Sequence, residues 1–401
     1  MPATEIRFGS EVWSIDPGRS KEIRGDQRQI PNAITDLKSA VYDALEKPIH
    51  YAPLRQALTP EDRLTLVVDD HSSKIGEVIS VLLDYLIEEQ INPERITLLS
   101  PPGENQYWID ELPERFQDVH TEVHDPDNRI RCCYLASTHQ GRRVYLNRSL
   151  VDADQMIILS RRSYSSLTGY SGAETAIFPQ FGDRETIKLL NRTISMENAG
   201  ENTIPLRLEA LEICWLLGSP FLIQLIEGYG DTISGILGGS LDTSSAGMHQ
   251  LDLNWKIHYQ QPVDLVIATI TGTQPGCNFA DLARAVANSN KILNPGGSLV
   301  ILPATEVRLG EPFRQLAVGQ GLENALNRLR SENTGQSISL HEWYQGKTNR
   351  EVYIGPGINE KMVNILQAKS IVDEQELQKL LHTANSFTIL KDGHKSHVSY
   401  N

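Results

Sequence analysis

Two short stretches gather most of the side chains that could do chemistry. Asp69, Asp70, His71, Ser72, Ser73 and Lys74 put two carboxylates, an imidazole, two hydroxyls and an amine in successive residues. Such a set can exchange protons with a small substrate. It can also cap a helix starting near Ile75, with Asp70 or Ser72 as the N-cap, and the two roles do not exclude each other. The second stretch, Gly169, Tyr170, Ser171, Gly172, Ala173, Glu174 and Thr175, is a glycine-rich loop. If it opens into a helix, its free amides favour a carboxylate or phosphate; if it is a tight turn, its glycines only supply positive φ.

Other groupings are more readily structural. His120 and His124 have the i,i+4 spacing of a helical metal pair, but the alternation around them reads as a strand ending at Asp125 and Pro126. On a strand the two imidazoles share a face and stand too far apart for easy chelation, so a surface or hydrogen-bonded role is expected. Arg161 and Arg162, just past a strand, read either as an anion contact or as a solvated loop pair. Gly272 to Gly276 lacks the Gly-x-Gly-x-x-Gly spacing that lets a backbone approach a pyrophosphate, which argues against a standard NAD site. Pro295, Gly296 and Gly297 read as a turn feeding a core strand.

The elements that must hold these residues alternate between strand and helix. Leu64–Val68 reads as a buried strand, Gly76–Glu89 as an amphipathic helix and Arg95–Leu99 as the next strand. Crossover helices imply parallel strands, whose ligands lie beyond the carboxyl ends, so the residues just after Val68 and Leu99 are the first to consider. Strands are expected again at Arg143–Leu146, Gln155–Leu159 and Phe221–Ile226, with helices at Arg184–Arg192 and Leu206–Leu217. A second α/β block starts near Pro262 with the strand Asp264–Thr269, the helix Asn278–Leu293 and the strand Ser298–Pro303. It continues through helices at His341–Arg350, Asn359–Gln367 and Asp373–Ala384 and strands at Glu351–Ile354 and Phe387–Leu390. The Gly-, Ser- and Thr-rich stretch Gly228–Gln261 has the composition of a connection, about which two domains would close. The expected fold is therefore two α/β domains with mainly parallel sheets, residues 1–258 and 259–401.

Composition bounds the partners. With 37 Lys and Arg against 51 Asp and Glu, the net charge is -14, which disfavours nucleic acid and anionic membrane surfaces. No apolar run is long enough for a membrane span, and residues 1–16 lack a signal peptide's apolar core. Cys132, Cys133, Cys214 and Cys277 show no metal-ligand spacing, which fits a reduced, cytoplasmic setting.

Taken in order, the landmarks resemble the nickel-dependent lactate racemase family. They are a strand ending in Asp70, a strand leading to Gly103, His124 with Asp125, Gly169-Tyr170-Ser171-Gly172 followed by Pro179, and Glu185-Thr186-Ile187 followed by Asn191. Pro262-Val263-Asp264-Leu265-Val266-Ile267, Asn278 and Pro295-Gly296-Gly297 continue the match, which spans about residues 10 to 320. The resemblance implies two α/β domains, the second Rossmann-like, and a nickel pincer cofactor tethered to a lysine as a thioamide. In that family a histidine ligates nickel and two further histidines move protons. Here those positions have changed. The resemblance implies arginine at Ser73, with Lys74 one place later, and histidine at Asn105 and Ser165. It implies the tether lysine at Thr175 and the nickel histidine at Arg192, and it implies tyrosine, glutamine and lysine at Ala280, Asp281 and Arg284. A threonine hydroxyl cannot form the thioamide that an amine forms, and a guanidinium has no lone pair to give a metal.

The expectation is thus a lactate racemase-like protein with no nickel pincer, no other cofactor and no metal. Asp70, Glu104 and Glu174 are its candidate catalytic groups; Lys74, Gly169, Ser171, Gly172, Arg192 and Arg284 are its candidate substrate-binding groups. These charges suit a small anionic metabolite, such as a 2-hydroxy acid, held in an interdomain cleft and subject to cofactor-free isomerisation or elimination. The different reading is a catalytically silent scaffold or regulatory protein, because function belongs to sites and not to folds.

Overall fold

The computed structural model describes residues 4–68, 72–102, 106–188, 196–273, 276–308, 310, 324 and 337–400. The chain forms two compact units, one of residues 32–228 and 232–251, the other of residues 1–31, 229–231 and 252–401. The sequence reading assigned residues 1–31 to the N-terminal domain. The structure gives them to the C-terminal unit, because the strand Lys21–Glu22 extends that unit's sheet and Asp26–Gln27 pairs within it.

The first unit is built on six strands: β1 (Leu64–Val68), β2 (Ile96–Ser100), β3 (His120–Val123), β4 (Gln155–Arg161), β5 (Phe221–Glu227) and β6 (Ile233–Gly239). They lie in the order β6-β5-β4-β1-β2-β3. All neighbours are parallel except β6, which runs antiparallel to β5. Every residue of β1 and β5 is buried, as expected of strands covered on both faces. Helix α1 (Leu37–Glu46) is capped by Asp36, whose side chain accepts from the Ser39 amide. Helix α2 (Ile75–Glu88) buries Ile75, Val78, Ile79, Leu82, Leu83 and Leu86, an apolar stripe of helical period. That stripe joins Leu66, Leu98, Trp108 and Ile157 in the unit's core. Helix α3 (Pro205–Leu216) begins with proline at its first turn, where a missing N–H costs nothing.

The stretch expected to be a connection is mostly regular structure. It contains β6, helix α4 (Ser244–Trp255) and the strand Lys256–Tyr259. Its glycines serve close packing instead of flexibility: a Cβ on Gly238 would run into the carbonyl oxygen of Ala44.

The second unit carries an all-parallel six-stranded sheet. Its order is Lys369–Ser370, Glu351–Ile354, Leu293–Pro303, Val263–Ile270, Ser386–Leu390 and Lys21–Glu22. Helix α5 (Phe279–Asn290) starts with a capping box in which the Asn278 side chain accepts from the Asp281 amide and Asp281 accepts from the Asn278 amide. A second, small sheet places Lys256–Tyr259 between His397–Tyr400 and Asp26–Gln27. Among the described residues no helix is long and apolar enough to cross a membrane.

Candidate functional site

Beyond the carboxyl end of β4 the chain turns through a hairpin of Ser163–Ser165 and Gly169–Ser171, then a single 3-10 turn, Ala173–Thr175. Gly169 and Gly172 have φ of +77° and +84°. A side chain on either would strike backbone carbonyls, Glu201 for Gly169 and Arg161 for Gly172. The glycines therefore make the turn, and the loop does not open into an anion-receiving helix. Its donors are used internally. The Ala173 amide donates to the Ser160 hydroxyl, the Thr175 amide to the Gly172 carbonyl at 3.1 Å, and the Ser171 hydroxyl lies 2.5 Å from that of Ser163.

Glu174, expected to be catalytic, is fully buried and committed to structure. One carboxylate oxygen accepts from Arg162 at 2.6 Å and from the Ser244 hydroxyl at 2.5 Å, while Arg207 pairs with the other. Burial alone would raise this carboxyl's pKa; Arg162 and Arg207 outweigh burial and hold it below the ordinary glutamate range. Arg162 is itself 1 % exposed. It also donates to Gln224 at 2.7 Å, to the Gly172 carbonyl at 3.2 Å and to the Ser244 hydroxyl at 2.6 Å. The solvated loop pair expected at Arg161 and Arg162 is therefore corrected: Arg162 stitches the turn to β5 and α4, and Arg161 pairs with Glu227 at 3.1 Å. Sequence reasoning missed this cluster, whose one signal was Arg207 and Glu209 standing in the leucine-rich run of α3.

Of the remaining expected charged site residues, two are described, one in each unit. Lys74 is the N-cap residue of α2 in a left-handed conformation, half-exposed, with its amine 3.7 Å from Glu77. Arg284 belongs to α5 in the other unit, where its Nε stands 3.9 Å from Glu342. Asp281 is used by the capping box. Asp70, Glu104, Asn105 and Arg192 lie outside the described residues. His124 is a buried, satisfied histidine as expected: its Nε2 is 2.8 Å from the Gly182 carbonyl and its Nδ1 3.2 Å from Asn147. Burial lowers its pKa despite the hydrogen bond to Gly182 and the nearby carboxylates. Among the described residues no three His, Cys, Asp or Glu side chains stand together as metal ligands.

The described positions at which the resemblance implies cofactor chemistry do not fit a nickel pincer. Thr175 is buried, and its hydroxyl donates to the Gly172 carbonyl at 3.0 Å. The Ser165 hydroxyl accepts from the amides of Leu167 and Thr168, both at 3.1 Å, a local turn in place of a proton-transfer group.

Comparison with known proteins gives the frame. Residues 8–202 match the lactate racemase N-terminal domain. The fold is similar to the lactate racemase apoprotein of Thermoanaerobacterium thermosaccharolyticum, with a TM-score of 0.76 and 16% identity over 99% of each chain. It is also similar to a Thermotoga maritima protein, with a TM-score of 0.67 and 10% identity over 94% of this chain and 100% of that one. No curated protein matches by sequence. The match over residues 8–202 and the likeness along the length of both chains together give this chain the fold of lactate racemase, with that protein's N-terminal domain.

Proposed function

We propose that this protein uses the lactate racemase scaffold to bind a small anionic metabolite without a nickel pincer. The observation that carries the reading is Thr175: at the tether position stands a buried hydroxyl already spent on the Gly172 carbonyl. No amine is there to be modified, so the family's hydride chemistry has no anchor. A 2-hydroxy acid fits the scaffold, and a cofactor-free isomerisation or elimination is the reaction class that acid/base groups alone support. Calorimetry with a panel of hydroxy acids and phosphorylated metabolites tests the reading. Saturable binding of at least one is expected, and a silent panel overturns it.

A second reading, a catalytically silent binding protein, is supported by Glu174. A candidate acid/base group whose two oxygens accept two bonds from Arg162 and one each from Arg207 and Ser244 has its acceptor sites filled. Turnover of a bound panel member excludes this alternative.

A further inference from the structure

Three buried polar side chains near the carboxyl ends of β1 and β2 have no hydrogen-bond partner among the described residues: Ser73 Oγ, Ser100 Oγ and Trp108 Nε1. Ser73 is 4% exposed and the other two are 0%. Burying such groups unpaired is destabilising, so three together call for an occupant.

Their placement brings them to the start of one helix. β1 and β2 run parallel with Val67 opposite Leu99, which sets Ser100 beside the end of β1, five residues before Ser73. Ser100 shares its strand face with Ile96 and Leu98, and that face packs in one core with Ile75, Ile79 and Trp108. A Cβ on Gly76 in the first turn of α2 would lie 3.8 Å from the Trp108 Cβ. Helix α2 has 14 residues, and no side chain caps its N-terminus. Its first turn thus packs beside Trp108, directly follows Ser73, and starts beyond the strand end that neighbours Ser100.

The chemistry of the set is one-sided. An indole N–H and a helix-start amide can only donate, and both serine hydroxyls can donate as well. The complement is an acceptor-rich group at the positive end of a helix dipole. The half-exposed Lys74 amine adds positive charge beside it. Two nearby carboxylates oppose: Glu111, which would be 3.5 Å from a Cβ on Gly76, and Glu77 in the first turn of α2, 3.7 Å from the Lys74 amine.

From this we propose that Ser73, Ser100, Trp108 and the first turn of α2 form the headgroup subsite for a small oxyanion, phosphoryl or carboxylate. The inference rests on the small-anion reading above and deepens it, because it names neutral donors as the recognising groups. Ser73 stands where the family resemblance implies an arginine, so a hydroxyl here takes over from a guanidinium.

The test is a titration of the full-length, ¹⁵N-labelled protein with inorganic phosphate and, separately, acetate, followed through the indole N–H resonances. Trp108→Phe identifies the Trp108 signal. The expected result is a saturable shift of that signal by at least one anion, while the Trp343 indole in the other unit stays still. Ser73→Ala is expected to weaken binding by about tenfold or more, as loss of one hydrogen bond to a charged group does. Glu111→Gln is expected to tighten it. A merely structural serine would not give these opposite signs. Whichever of the two probes binds assigns the headgroup as phosphoryl or carboxylate. Anion binding that leaves the Trp108 resonance and the Ser73→Ala affinity unchanged overturns the subsite and leaves the small-anion reading standing. A protein that binds neither probe nor any metabolite of the panel overturns both. The wild-type titration decides even if a variant fails to fold.

Discussion

At Glu174 a carboxylate in a strand-end loop turned out to be the centre of a buried ion cluster. Replacing it with glutamine leaves Arg162 and Arg207 in the interior without their counter-charge, and breaking a buried pair in this way costs about 3–5 kcal/mol. Glu174→Gln is therefore expected to lower the urea midpoint strongly, and a change within error would remove the cluster as a keystone. Its contribution also has a pH sign. The folded carboxyl has a lowered pKa, so its stabilisation is present above the ordinary glutamate range and is lost as pH falls through the folded value. Little of this was legible in the sequence, because opposite charges twelve and thirty-three residues apart carry no pattern until the strands are in place. Thr175 and Ser165 were legible as the wrong residue types for the family chemistry; that their hydroxyls are spent on local backbone was not.

Among the elements, those with strong periodicity were read well. β1, α2, β2 and the strand Val263–Ile270 appear within a residue or two of the expected bounds, since a fully apolar run and a helical stripe each have one way to be buried. Gly228–Gln261 does carry the chain between the two units, but largely as strands and a helix and not as turns, because its glycines allow close backbone packing. The strand His397–Tyr400 offers a test at this scale. His397 lies opposite Lys256 in parallel register, and burial together with the charges of Lys291 and Lys256 lowers its pKa to about 3. In the unfolded chain it titrates near about 6.5, so between these values the unfolded state binds the extra proton. Stability is complete above about pH 6.5 and declines as pH falls towards about 3. His397→Gln is expected to flatten that decline in thermal melts between about pH 6 and 4. A slope identical to the parent's would show that this imidazole does not govern acid sensitivity.

For the whole molecule, the likeness to lactate racemase and the threonine at the expected tether position lead to one decisive experiment. Coexpressed with a complete pincer-making pathway, the protein is expected to keep its unmodified mass, to bind no stoichiometric nickel and not to racemise lactate. An added cofactor mass with near-stoichiometric nickel would overturn that expectation, whatever Thr175 looks like in the fold. The sheet of the second unit carries a further consequence, for synthesis on the ribosome. Its edge strand Lys21–Glu22 leaves the exit tunnel long before its partner Ser386–Leu390. Domains generally fold as units while the chain grows, so residues 32–251 can be complete while the leader strand still waits. Its pairing closes a loop nearly as long as the chain, the kind of contact that forms slowly. A ribosome paused before Ser386 would therefore display a folded body with the strand Lys21–Glu22 still unpaired, a point at which chaperones or proteases would meet this protein.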